Sequence, residues 1–217
     1  MNVPSEARTD RRWRASLGAL LAVAALVRVA YVFWQPGVDP TFDRPILDGE
    51  EYVAQALAWL QGEGGPGGAY YLAPGYPVLL AALFGLSGGS FAAVYLVQHA
   101  AVLAGAWLAA RIARGVAGDL AGLATAALVV GYHPLLFFAS RPLGEAFAML
   151  LLLASVATVG DGIASRRTAF GGALLGASAL IRPNVLAILP LWLVWCTVRG
   201  RPKSAALMLA ACLLAIV

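Results

Sequence analysis

Apolar runs of near span length recur along this chain and leave it few ways to fold. Ala15–Trp34, Phe91–Ala110 and Leu120–Phe138 each approach the roughly 20 residues that cross a bilayer's hydrocarbon core. Residues 143–159 follow, then two shorter runs at 169–181 and 185–198, and a further run begins at Ser204. Of the 217 residues, 61% are hydrophobic and 12% charged, against about 45–50% and about 25% in soluble domains. A polytopic, all-α membrane bundle is the expected fold class.

The net charge of +4 does not point to nucleic acid, because the basic residues stand in short clusters between apolar runs, as orientation signals do. Cys196 and Cys212 lie in apolar sequence without disulfide or metal spacing and read as small packing residues. Arg11-Arg12-Trp13-Arg14 precedes an apolar run too long for a signal peptide. The chain ends inside an apolar run at Leu-Ala-Ile-Val217, and more protein is expected beyond it.

The positive-inside rule orders these runs. With residues 1–14 as a cytoplasmic tail, the span at 15–34 exits and residues 35–90 form a long outer loop. Spans at 91–110, 120–138, 143–159, 169–181 and 185–198 then leave Arg111 and Arg114, Arg166 and Arg167, and Arg199, Arg201 and Lys203 all inside. Counting 77–86 as a span would invert every later cluster. Six spans and the start of a seventh are therefore expected, with Asp161 closing the fourth span beside Arg166 and Arg167.

The outer loop is the polar exception, and its centre is Pro45–Leu60, with Asp48, Glu50 and Glu51; Asp39 and Asp43 stand upstream. A short helix is expected from about Gly49 to Gln61, with an apolar stripe of Val53, Ala56, Leu57 and Leu60 that lies in the interface plane or packs on the spans below. A second is expected at 77–86. The glycines at 62–68 read as a hinge, since no strand–helix context makes them a phosphate loop.

Several residues carry two readings each. Asp48 could be the N-cap of a capping box with Glu51, a carboxylate at an outer cavity taking a proton from an acceptor, or both. Glu145, at the outer end of a span, is either a functional acid or the partner of Arg141 in an i,i+4 pair. Arg182, beside Pro183, is a phosphate clamp or a snorkelling residue. Arg28 snorkels or pairs with an acid or lipid phosphate. Gln98 and His99 form interhelical hydrogen bonds or, less simply, a proton relay. His133 stands at the outer end of its span beside Pro134 and fits either a structural or a functional role. No Cys/His metal constellation and no transporter-type repeat is visible.

Taken together, these motifs resemble the first half of a known group. An acid soon after the first span, then Tyr52 and an Ala-rich helix, glycines, and Ala73-Pro74-Gly75-Tyr76-Pro77 resemble the first outer loop of GT-C glycosyltransferases. Gln98, Pro134-Leu-Leu-Phe-Phe, Gly144-Glu145 and Ala179-Leu-Ile-Arg182-Pro183-Asn184 continue the likeness. The nearest branch is the bacterial protein-O-mannosyltransferase and aminoarabinose-transferase group (glycosyltransferase family 39-like).

The resemblance implies transfer of a sugar from a polyprenyl phosphate to a lipid, glycan or protein acceptor at the outer face of a bacterial plasma membrane. It assigns Asp48 as base and Glu145 as a second acid that binds acceptor or, in some members, a divalent metal. Arg182 and Arg141 would hold the lipid phosphate, and Glu50, Glu51, Tyr52 and Tyr76 complete the expected substrate-binding set. Relatives often carry two adjacent acids where this chain has Asp48-Gly49-Glu50, so Glu50 competes with Asp48 for the role of base. The rival readings are a non-catalytic lipid-handling protein and a transporter of similar fold.

Overall fold

The structure, a computed structural model, describes residues 3–63, 72–160 and 165–216. Most of the glycine run at 62–68 and Asp161 lie outside the described residues. The described chain is all-helical, with nine α-helices and two short 3₁₀ turns. Two helical stretches, Arg8–Gly37 and Phe91–Gly131, are long and apolar enough to cross a membrane.

Helix α1 runs Val3–Trp34, so the basic segment expected as a tail forms its first turns. Trp13 and Leu17 pack there against Ala110 and Ala126. Helices α2 (Asp48–Leu60) and α3 (Gly75–Ser87) follow, close to the two short helices expected. At about 1.5 Å per residue, the 13 residues of α3 reach only ~20 Å and fall short of a ~30 Å core. Gly88, left-handed at φ 65°, closes α3. Ser90 then caps α4 by accepting from the Ala93 amide at 3.3 Å.

Helix α4, Phe91–Gly131, is interrupted at Ala117 and Gly118. Gly118 has φ 84° and ψ −175°, a conformation essentially confined to glycine. The chain reverses at this point. Gly122 lies against the Ala110 carbonyl and Arg114, and Arg28 of α1 bonds both His99 and Val130. The two arms carry the apolar runs at 91–110 and 120–138, the second finished by α5 (His133–Phe138), with Pro134 at its start. Helices α6 (Glu145–Gly160) and α7 (Ser165–Ile181) come next. Arg182, extended before Pro183, ends α7 because a residue preceding proline is pushed out of the helical region. Helices α8 (Ile188–Val198) and α9 (Pro202–Ile216) complete the chain.

The helices are joined by small residues. A Cβ on Gly172 would collide with the Met208 carbonyl, and one on Gly176 with the Cys212 carbonyl. Gly172-Ala-Leu-Leu-Gly176 therefore lets α7 and α9 touch backbone to backbone, a small-xxx-small contact. Ser155 donates across to the Gly171 carbonyl, and Ser178 to the Ala148 carbonyl. Cys196 and Cys212 are buried and free, as packing residues should be.

The stripe expected for α2 divides: Ala56 is buried and Val53 packs on the core. The buried face is Gly49, Tyr52, Gln55 and Ala56, while Leu57 and Leu60 are 42% and 47% exposed. Tyr52 decides the rotation by packing edge-on against Tyr76, with ring centroids 5.0 Å apart.

Candidate functional site

At the end of the bundle where α1 finishes and α6 begins lies a cavity of about 450 Å³. Its lining includes Thr41, Leu47, Asp48, Phe137, Arg141, Glu145 and Arg182. These residues come from the α1–α2 loop and the start of α2, from the stretch running from α5 through the link to the start of α6, and from the α7–α8 break. Two expected acids and two expected arginines meet there. Glu50 and Glu51, both exposed, do not line it. Glu51 instead accepts from Gln55 Nε2 at 2.8 Å.

Asp48 arrives by an unexpected route. The N-cap of α2 is Leu47, with no side-chain cap bond, and Asp48 is the first helical residue. The expected capping box is therefore corrected. Leu47 has φ 57°, uncommon for a residue with a Cβ, and this places strain directly beside Asp48. The Asp48 carboxylate, released from capping, is exposed on the cavity wall.

Arg141 and Glu145 do not pair with each other. Arg141 stands before Pro142, outside α6, so no helical i,i+4 geometry exists. Arg141 pairs instead with Asp39, donates to the Ser140 carbonyl at 2.8 Å and stacks over Phe137 at 4.4 Å. Asp39 also accepts from the Thr41 amide at 2.9 Å and the Thr41 hydroxyl at 2.7 Å. Burial opposes ionisation of Asp39, but the Thr41 and Arg141 bonds outweigh it and hold its carboxyl below the usual range.

Glu145 pairs with Arg182 through Oε1, while its Oε2 is buried without a hydrogen-bond partner. A second cavity of about 420 Å³, lined by Ala148, Met149, Leu152, Asn184 and Val185, also includes Glu145 and Arg182. The ion pair thus stands on the wall common to both cavities. Tyr52 is buried beneath this region. Its burial, with smaller pushes from Asp48 and Glu145 and an opposing pull from Arg182, raises the phenol above its ordinary value. It stays a neutral donor and is not a base at neutral pH.

Tyr76 is corrected from substrate contact to internal support. It is fully buried, and its hydroxyl donates to Gln98 Oε1 at 2.6 Å. Gln98 Nε2 in turn donates to the Ala139 carbonyl at 2.9 Å and the Arg141 carbonyl at 2.7 Å. His99 lies 2.8 Å from Ser140 Oγ and 2.9 Å from Arg28. An arginine only donates, so His99 Nδ1 accepts from Arg28 and Nε2–H donates to Ser140. Gln98 and His99 make the expected interhelical bonds, to Tyr76 and Arg28, and also hold the link that carries Arg141. Arg28 neither snorkels nor meets an acid; it is 2% exposed and bonded to His99 and the Val130 carbonyl. His133 starts α5 and lines neither cavity.

The sequence reading missed two features of the site. The partner of Arg141 is Asp39, whose Asp-Pro-Thr context signals a turn but not its distant arginine. Phe137 and Phe138, read only as part of a motif, form a cavity wall. Among the described residues no three His, Cys, Asp or Glu side chains form a set that could hold a metal ion.

The cavity thus joins an exposed carboxylate, two arginines each paired with an acid, and an aromatic wall. No protein-family model, curated protein or solved structure matches this chain.

Proposed function

We propose that this chain is a polytopic protein of a bacterial plasma membrane that transfers a glycosyl group from a polyprenyl-phosphate sugar to an acceptor at the outer face. The observation that carries this reading is the convergence of Asp48, Glu145, Arg141 and Arg182 on one cavity from three separate parts of the chain. The membrane setting draws support from the outward-facing apolar side chains. Leu86, Leu120, Val198 and Leu214 are 79–87% exposed, a pattern that water penalises and lipid accepts. The glycine contacts between α7 and α9 add to it.

In this reading the tail enters the membrane inside, and the cavity opens outside. The basic clusters at 111–114, 166–167 and 199–203 then all face the cytoplasm. Asp48 accepts the proton of the acceptor's hydroxyl or amine, and the acceptor atom attacks the anomeric carbon. The bond from that carbon to the phosphate oxygen breaks, its electron pair leaves with the polyprenyl phosphate, and the anomeric configuration inverts. Arg182 stabilises the departing phosphate by exchanging Glu145 for it. Glu145, released, offers both carboxylate oxygens to the acceptor. Arg141, clamped by Asp39 and Phe137, keeps its remaining N–H donors at the mouth for the phosphate.

The test is a transfer assay with the full-length protein in proteoliposomes, given a panel of radiolabelled polyprenyl-phosphate sugars and membrane, glycan and protein acceptors. Label should move from at least one donor to an acceptor fraction. Intact donors across the whole panel, with correctly inserted protein, would contradict the reading.

A further inference from the structure

The opposite end of the bundle, where α1 begins and α4 reverses, holds a second kind of site. Trp13, Arg14, Trp107, Arg111, Arg114 and Gly115 surround a cavity of about 630 Å³. Beside it lies an apolar cavity of about 260 Å³, lined by Ile112, Val116, Val156, Ala157 and Gly160, which shares Arg111 and Gly115 with the first. One compartment is cationic and aromatic, its neighbour is hydrocarbon, and Arg111 stands between them.

The three arginines are not equivalent. Arg114 is neutralised, donating to Asp10 at 2.6 Å and Asp119 at 2.7 Å, and its guanidinium lies over the Trp13 ring at 4.1 Å. Arg14 shares the same Asp10 at 2.8 Å. Arg111 lies over Trp107 at 4.9 Å, and none of the ion pairs among the described residues involves it. Three cations facing two carboxylates leave one positive charge over, and the geometry locates it on the exposed Arg111. Trp107 is 41% exposed, at the level where tryptophans sit among headgroups.

We propose that this pair of cavities binds one anionic phospholipid of the inner leaflet. Its phosphate diester sits at Arg111 between Trp107 and Arg14, and an acyl chain lies along Ile112, Val116, Val156 and Ala157. The charge left over on Arg111 selects an anionic head, and the adjoining groove selects a lipid over a free anion. Basic pockets between helices on the cytoplasmic side hold such headgroups, at about 1 kcal/mol per arginine. The site rests on the membrane reading but not on glycosyl transfer, so it stands or falls apart from the outer cavity.

The experiment is a thermal-shift titration of the detergent-purified full-length protein with three probes: dioleoyl phosphatidylglycerol, dioleoyl phosphatidylcholine and inorganic phosphate. Phosphatidylglycerol should raise the melting temperature saturably, while the other two leave it unchanged. Arg111→Gln, at an exposed side chain, should raise the half-saturating phosphatidylglycerol concentration about fivefold. Arg44→Gln, at an exposed side chain that lines none of these cavities, should leave it unchanged. Ala157→Phe, which fills the groove, should weaken the lipid effect without removing the charge. An equal shift from phosphatidylcholine, a shift from inorganic phosphate alone, or an Arg111→Gln protein that titrates as the wild type would overturn the proposal.

Discussion

At the scale of single residues, the outer cavity is governed by which partner each arginine holds. Arg182 and Glu145 are 30% and 38% exposed, and such half-exposed pairs contribute only about 0–1 kcal/mol to stability. In the proposed mechanism, exchanging Glu145 for a phosphate therefore costs little, as a substrate clamp requires. Arg182→Gln should lower the melting free energy by less than ~1 kcal/mol while reducing transfer by about 10²–10³-fold. Parallel thermal melts and initial rates would check this. A large loss of stability with transfer preserved would make the pair a structural strut instead. Arg141 is held differently, by Asp39 on one side, Phe137 on the other and the Gln98-bound backbone beneath, which fits a fixed hydrogen-bond donor more than a moving clamp.

At the scale of elements, close backbone contact joins α7 to α9, and that contact is specific enough to break. Gly176→Leu would drive a side chain into the Cys212 carbonyl and the Ala215 Cβ and should unseat α9, at a cost of about 1–3 kcal/mol. Gly131→Ala, with nothing within 4 Å, should leave stability unchanged or raised. Thermal melts of the two variants would separate these outcomes.

Element boundaries were the legible part of the sequence because their causes are local. Pro183 ended α7, Ser90 began α4, and the Leu120 run returned antiparallel to the Phe91 run. The capping box at Asp48 misled because Leu47 adopts a left-handed conformation that no sequence spacing announces. The Arg141–Glu145 pair misled because Pro142 keeps Arg141 out of α6. The true pairs, Arg141–Asp39 and Arg182–Glu145, join residues 102 and 37 positions apart. Nothing in local chemistry selects those partners; only the packing of the helices does.

At the scale of the whole molecule, the chain divides by chemistry into two ends. One gathers carboxylates and arginines around the 450 Å³ cavity, and the other gathers arginines and tryptophans where α4 reverses. If the apolar middle lies in a bilayer, the ends face opposite compartments. With Cys196 and Cys212 replaced by alanine, Asp43→Cys should react with an impermeant maleimide in intact cells. Arg201→Cys should react only after permeabilisation. The reverse pattern, or labelling of both in intact cells, would break the assigned topology. The central claim is narrower: Asp48, freed from helix capping, takes the acceptor's proton. Initial transfer rates of Asp48→Asn and Glu50→Gln in the proteoliposome assay test it most directly. The account predicts a loss of about 10²–10⁴-fold for Asp48→Asn and near wild-type rates for Glu50→Gln, which lies off the cavity. Near wild-type transfer by an inserted Asp48→Asn protein, or the full loss in Glu50→Gln instead, would contradict it.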